Sequence, residues 1–397
     1  MEDVFVVASV RTAVGKLGGA LRDVLPEELC RVVLVGALEK AGLEKGSVDE
    51  VIFGQTKQST DCPNVARVAS LMAGLPEEIP AYTVHRQCAS GMQAIVNAAM
   101  QIQSGDGDVI VAGGVESMST APFYIRKARY GYLAGNGLLL DPNTESQPRS
   151  QPEDVYGHLV MGMTAENIAE KYDISREEQD EFSLRSHQKA IAAIDSGSFE
   201  DEIVPVMVPQ RKASPLAFKE DESPRRETSL EKLAKLQPVF KEGGTVTAGS
   251  SSSRNDGASA AVVMSGKKVK ELGLRPLARY VVGTAAGVDP RIMGIGPVPA
   301  TRKALKKAGV ELEQMELIEL NEAFAAQSLA CMRELGMNQD ILNVNGGAIA
   351  LGHPIGCSGS RIVTTLLHEM MKRNLRYGLA TICVAGGLGM TTIFERP

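Results

Sequence analysis

No run of lysine and arginine in this sequence exceeds two residues, and the formal net charge is −6 at pH 7. A chain that binds nucleic acid needs a basic patch to neutralise phosphates, so that partner class is excluded. No uninterrupted apolar stretch approaches the ~18 residues that cross a bilayer, so no membrane role is expected. The first residues, Met1-Glu2-Asp3-Val4-Phe5-Val6-Val7, are acidic and then strand-like. They lack the charged and apolar regions of a secretory signal, and a cytoplasmic protein is expected. The six cysteines form no C-x-x-C pair and have no histidine at zinc-ligand spacing. No metal site and no disulfide scaffold are expected. Cys30, Cys62, Cys331 and Cys357 are read as small buried hydrophobes, the default in a reducing compartment.

What is present is ordinary globular composition, 44% hydrophobic and 23% charged over 397 residues, enough for two to four domains. Three segments recur in the same order. Val109–Gly114 returns as Ile382–Gly387, Ser90–Val96 as Ser358–Val363, and Asp49–Phe53 as Met315–Glu319, at offsets of 273, 268 and 266. These imply a duplicated α/β unit, with halves at about 1–120 and 270–397, in which β-branched strands alternate with helices. Between the halves, nine prolines fall within 119–248. Helices are expected around Thr164–Lys171 and from Ser175, where Ser175 and Glu178 form a capping-box pattern. The polar segment 210–228 is read as a surface excursion. The insertion is a lid or substrate platform, an oligomer contact, or both.

Five segments carry chemistry. In Gln87-Cys88-Ala89-Ser90-Gly91, Cys88 precedes an apolar helical pattern, and a helix N-terminus there would lower its pKa. The competing reading is a packing cysteine. The stretch Gly346–Ser360 sets His353 among five glycines with Pro354 behind it, a costly way to hold a mere core histidine, so His353 is a candidate base. In Glu319-Leu320-Asn321-Glu322, a strand turns towards a helix, and Asn321 either caps that helix or holds a water or the histidine. A strand ending at Cys383 runs into Ala385-Gly386-Gly387, whose N–H groups can converge on an oxyanion. Gly243–Gly257 is a glycine/serine loop without the lysine of a P-loop, suited to an extended polar ligand. The Arg225-Arg226 pair is either a phosphate contact or a solvated face. His85 is read as a surface or helix-cap residue, with support of Cys88 as the second reading; His158, His187 and His368 have no supporting context.

Together and in this order, Cys88-Ala-Ser-Gly91, Asn321-Glu-Ala-Phe324, Gly352-His353-Pro354 and Cys383-x-Ala-Gly-Gly387 resemble the thiolase family, over essentially the whole chain. The resemblance implies an α/β fold with a five-layered αβαβα core of two duplicated halves and an inserted loop domain. Its boundaries would be 1–118 plus 249–270, 119–248, and 271–397. It also implies reversible acyl transfer between coenzyme A thioesters: thiolytic cleavage of a 3-ketoacyl-CoA or Claisen condensation of two acetyl-CoA, through an acyl-cysteine. In that scheme Cys88 is the nucleophile, His353 its base, and Cys383 the second acid/base, for which an unperturbed thiol pKa needs little adjustment. Asn321 would hold a water that forms one oxyanion hole with His353, and the N–H groups of Cys88 and Ala385 the other. Positions matching the family's CoA contacts are Arg225, Ala248, Ser252 and Met293. Coenzyme A would be a substrate, with no separate cofactor. A homodimer or homotetramer is implied, with a β-oxidation partner subunit left open. Val160 stands where short-chain biosynthetic members carry histidine, and Lys232 where some carry a small residue; the first departure leans towards a degradative enzyme for longer chains. A strictly biosynthetic member and a non-catalytic lipid-binding or scaffold relative remain the alternatives. Asn321 argues against a decarboxylating ketosynthase.

Overall fold

The computed structural model describes residues 2–211 and 213–397. The N-terminal half runs β1 (Val4–Arg11), the short β2 (Gly15–Lys16), α1 (Pro26–Ala41), β3 (Glu50–Gly54), α2 (Val65–Met72), β4 (Ala81–Val84), α3 (Ser90–Ser104) and β5 (Val109–Ser117). The chain returns to this half as β8 (Asn255–Ser265) and α9 (Gly266–Glu271). Between β5 and β8 lie α4 (Pro142–Glu145), α5 (Glu153–Tyr156), α6 (Met161–Lys171), α7 (Arg176–Asp195), the hairpin β6 (Val206–Val208) and β7 (Leu216–Phe218), and α8 (Leu230–Ala234). The C-terminal half runs β9 (Ala278–Gly287), α10 (Pro297–Ala308), β10 (Leu317–Leu320), α11 (Ala325–Leu335), α12 (Ala348–Leu351), α13 (Ile355–Lys372), β11 (Tyr377–Val384) and β12 (Leu388–Glu395).

The strands follow one path, β10-β11-β12-β9-β1-β8-β5-β3-β4. At its middle, β1 and β9 share only two pairs, Phe5–Arg279 and Val6–Ala278. The path is therefore two sheets joined at a narrow seam. The side-chain alternation of each strand sorts residues into layers. In β3, Val51 and Phe53 face α1 and α2, while Ile52 faces the interior. In β10 and β11, Ile318 and Leu379 belong with α10 and α11, while Leu317 and Ala380 face inward. The interior layer is α3 and α13, which pack against strands of both sheets and place Ile95, Ile102, Ile362 and Leu366 in one shared core. The order α, sheet, α, sheet, α is the five-layered core that the resemblance implies.

The two halves meet symmetrically at these central helices. A Cβ on Gly91 would lie 2.4 Å from Ser360 Oγ, and one on Gly359 would lie 2.8 Å from Met92 Cβ. The two contacts interchange at the offset of 268, and only glycine permits the helices to approach so closely. One of the three repeats needs correction. Parallel pairing sets Val51 against Val111 in one half and Leu317 against Gly378 in the other, so β5 and β11 correspond at an offset of 267, not 273. The shared Val-Ala-Gly-Gly string slips by six residues. Gly113 and Gly114 sit within β5 against β8, whereas Gly386 and Gly387 turn the chain after β11 with φ of +89° and +82°.

The insertion's helices α6 and α7 form as expected, with the Ser175–Glu178 capping box complete. The segment 210–228 is not simply a surface excursion. Its Asp221 is buried and takes a two-pronged pair from fully buried Arg11, at 2.7 and 2.9 Å, while Arg11 Nε donates to Glu202 at 2.6 Å. The ion group ties the insertion to β1. Replacing Arg11 by Met strands two buried carboxylates and is expected to lower unfolding stability by about 3–5 kcal/mol. A denaturant midpoint at neutral pH checks this.

Candidate active site

A cavity of about 200 Å³ lies where α3, the His353 loop, the end of β11 and the insertion converge. Its wall includes Cys88, His353, Cys383, Ala385, Ser252 and Met293. Of the predicted residues, these six come together. The cavity shares Ser251, Ser253 and Arg254 with an outer groove of about 610 Å³, where Arg225 and Ala248 lie. That groove also carries Lys16 and Lys232, against one acidic side chain, Glu227. The insertion supplies Asn143, Ser146, Gln147, Ser150, Met161 and Phe240 to the cavity wall.

Cys88 lies two residues before the first residue of α3, in a turn tied by Ser90, whose Oγ donates to Gln87 O at 2.6 Å. Gln87 is held at a φ of +44°, a left-handed conformation that a non-glycine side chain disfavours. The backbone N–H groups of Ala385 and of Cys88 itself act to lower the thiol's pKa. The expected lowering of its pKa does not occur: the thiol is pushed up to about 11. Burial among apolar groups outweighs both N–H donors, and the helix begins too late to offset it. Cys383 is likewise driven well above the ordinary thiol range, by burial first and by Cys88 second. It does need adjustment, contrary to expectation, and is held as a protonated thiol. All six cysteines are free, with Cys30, Cys62, Cys331 and Cys357 buried as read.

His353 is fixed from both sides. Its backbone N–H donates to Asn255 Oδ1 at 3.0 Å, and a Cβ on Gly352, whose φ is +102°, would collide with that same amide. Asn255 is completed by Ser253, Gly15 and Ser223. The ring's Nδ1 lies 2.6 Å from Ser358 Oγ, which itself donates to Pro354 O at 2.9 Å. With its one proton committed, the hydroxyl accepts from Nδ1–H, which assigns the tautomer and leaves Nε2 as the basic nitrogen. Burial pushes the imidazole down to about 4, with Arg361 contributing, so the ring is neutral at physiological pH. Sequence reasoning missed Ser358 as an orienting group, although its place on the first turn of the helix after His353 was a usable signal.

Asn321 does not cap a helix, since α11 begins at Ala325 after Phe324. Nor is it among the cavity's lining residues. It is fully buried behind β10, and neither its Oδ1 nor its Nδ2 has a partner among the described residues. His187 has more context than expected: it lines the outer groove and its Nδ1 accepts from Arg225 N–H at 3.2 Å, which fixes the arginine's backbone. His85 is exposed and accepts weakly from Gln87 N–H, His158 pairs with Glu153 on the surface, and His368 is buried against Ser9 O. Arg226 pairs with Asp195 rather than facing the groove.

Residues 4–267 match the family model for the thiolase N-terminal domain, and residues 274–396 that for the thiolase C-terminal domain. The chain belongs to the thiolase family. It is 53% identical to an acetyl-CoA acetyltransferase of Pseudomonas aeruginosa and 50% identical to one of Chromobacterium violaceum, over the full length of both chains in each case. The crystal structure of the Bacillus anthracis acetyl-CoA acetyltransferase is 49% identical with a TM-score of 0.97, covering 100% of this chain and 99% of that one. Human mitochondrial 3-ketoacyl-CoA thiolase in complex with CoA is 44% identical with a TM-score of 0.95, covering 100% and 98%. The thiolase is accordingly an acyltransferase. No helix among the described residues is long and apolar enough to cross a membrane.

Proposed function

We propose that this thiolase cleaves short 3-ketoacyl-CoA esters with coenzyme A, and runs the reverse condensation, through an acyl group carried on Cys88. The observation that carries this is the meeting of two thiols and a neutral imidazole on one cavity that opens into a cationic groove. His353 Nε2 takes the Cys88 proton as sulfur attacks the keto carbonyl, with the N–H groups of Ala385 and Cys88 facing the oxygen that becomes negative. The carbon–carbon bond breaks, and the Cys383 thiol gives its proton to the departing enolate carbon, forming acetyl-CoA. A second coenzyme A then takes the acyl group from Cys88. A buried amide without a partner is costly, about 1–3 kcal/mol, which supports a role for Asn321 in holding a small polar molecule such as a water near the enolate oxygen. Arg225, Lys16, Lys232 and Arg254 provide the charge for coenzyme A phosphates, Ser252 and Ala248 border its arm, and Met293 packs near the thioester. No other cofactor is needed.

The cavity's size favours short acyl groups over the longer chains that Val160 first favoured. Its volume is below the ~300–1,000 Å³ that accommodates a drug-sized ligand, and Val160 is not on its wall, whereas Asn143, Ser146, Gln147 and Ser150 make one side polar. Comparing kcat/KM from acetoacetyl-CoA up to palmitoyl-length 3-ketoacyl-CoA tests this, with the maximum expected at the short end. A profile that climbs with chain length would sink the short-chain reading. Self-association as a dimer or tetramer is supported by exposed Phe123, Tyr130, Leu133, Leu138 and Leu139 in the insertion.

A further inference from the structure

One charged side chain beside the nucleophile is not used by the mechanism above. Lys57 follows β3 and is 9% exposed. Its Nζ donates to Ser146 Oγ at 2.6 Å, and Ser146 lines the cavity. Ser150, one turn on, donates to Ser146 O at 2.9 Å and accepts from Gln87 Nε2 at 3.1 Å, so the same short network reaches the strained residue preceding Cys88. An ammonium has three donors, and one is engaged here.

The nearby acid does not consume this charge. Glu116 on β5 accepts from the backbone N–H groups of Thr56, Lys57 and Gly356 and from the Thr56 hydroxyl, and forms no ion pair with Lys57 Nζ among the described residues. Of the other charged groups facing Lys57, Arg254 and Asp141 stand 3.8 Å apart and offset one another. His353 and Cys383, on the remaining sides of the cavity, are neutral. Lys57 and Glu116 are then the cation and the anion whose charges act on the Cys88 thiol, in a setting where water screens little.

We propose that Lys57 is a positioning residue for this thiolase: its ammonium, anchored behind the cavity wall by Ser146, stabilises negative charge on Cys88 Sγ and offsets Glu116. The inference rests on Cys88 being the nucleophile. Burial lowers the Lys57 pKa, and Glu116 and then Cys88 act against that lowering, while Lys57 in turn favours the Cys88 thiolate. Burial still wins, since the thiol is pushed up to about 11 with Lys57 in place, and without the ammonium it would lie higher.

The test is the pH dependence of Cys88 alkylation by iodoacetamide in the full chain, read by peptide mapping, with Lys57→Met, Lys57→Arg and Ser146→Ala beside the wild type. Alkylation needs no acyl transfer, so its outcome is separable from the proposed reaction. Lys57→Met should move the alkylation midpoint up by about one pH unit, roughly tenfold slower alkylation below the midpoint. Lys57→Arg should restore it, and Ser146→Ala should move it part of the way. A purely structural lysine would change melting but not the midpoint. An unshifted midpoint in folded Lys57→Met overturns the proposal; if that variant does not fold, an unshifted midpoint in Ser146→Ala does so.

Discussion

Cys88→Ser is expected to abolish acyl-enzyme formation and to lower kcat by at least about a thousandfold in both directions, as loss of a covalent nucleophile does. The substitution nearly keeps the shape of the cavity. What changes is acidity. The half-buried thiol is already pushed up to about 11, and a hydroxyl in its place lies several units further from ionisation. His353, neutral and held down to about 4 by burial, is too weak a base to make up that difference. Coenzyme A binding should be unaffected, because Arg225, Lys16 and Lys232 lie in the outer groove. Steady-state thiolysis of acetoacetyl-CoA, with coenzyme A affinity measured separately, distinguishes loss of chemistry from loss of binding.

Cys383→Ala should separate the two halves of the reaction. In the proposed mechanism acylation of Cys88 by acetyl-CoA uses Cys88, His353 and the two N–H donors, and it is expected to continue. Condensation needs a proton removed from acetyl-CoA, and cleavage needs one returned to the enolate. Both should fall by about 10²–10⁴-fold, the usual contribution of a general acid or base. Burial among Met293, Phe324 and Val246 keeps the Cys383 thiol protonated, which suits it to protonating the enolate during cleavage. Acylation falling in step with condensation would show that Cys383 supports the cavity rather than moving the proton.

The groups found from the sequence lie in short contiguous strings: Cys88 with Gly91, His353 with Pro354, Cys383 with Gly387. Their glycines and small residues reflect crowding, and crowding is visible locally. The duplication was legible for the same reason, since Gly91 and Gly359 must both be small for the central helices to touch. Distant partners were not legible. Asn255 holds His353 from 98 positions away, Asp221 holds Arg11 from 210, and Lys57 meets Ser146 from 89. Each of these contacts joins residues far apart in sequence: the first exists only once β8 meets the His353 loop, the other two only once the insertion folds back onto the core. The direction of the thiol shifts was missed because a helix N-terminus can be read from sequence, whereas the desolvation that outweighs it depends on what packs around the sulfur.

The most direct measurement is peptide-mapping mass spectrometry of the intact chain after brief exposure to acetyl-CoA. A single acetyl group on the peptide containing Cys88, removed again when free coenzyme A is added, is the predicted result. Acetylation confined to Cys383 or to any other side chain, or none under conditions where the enzyme turns over, would contradict it.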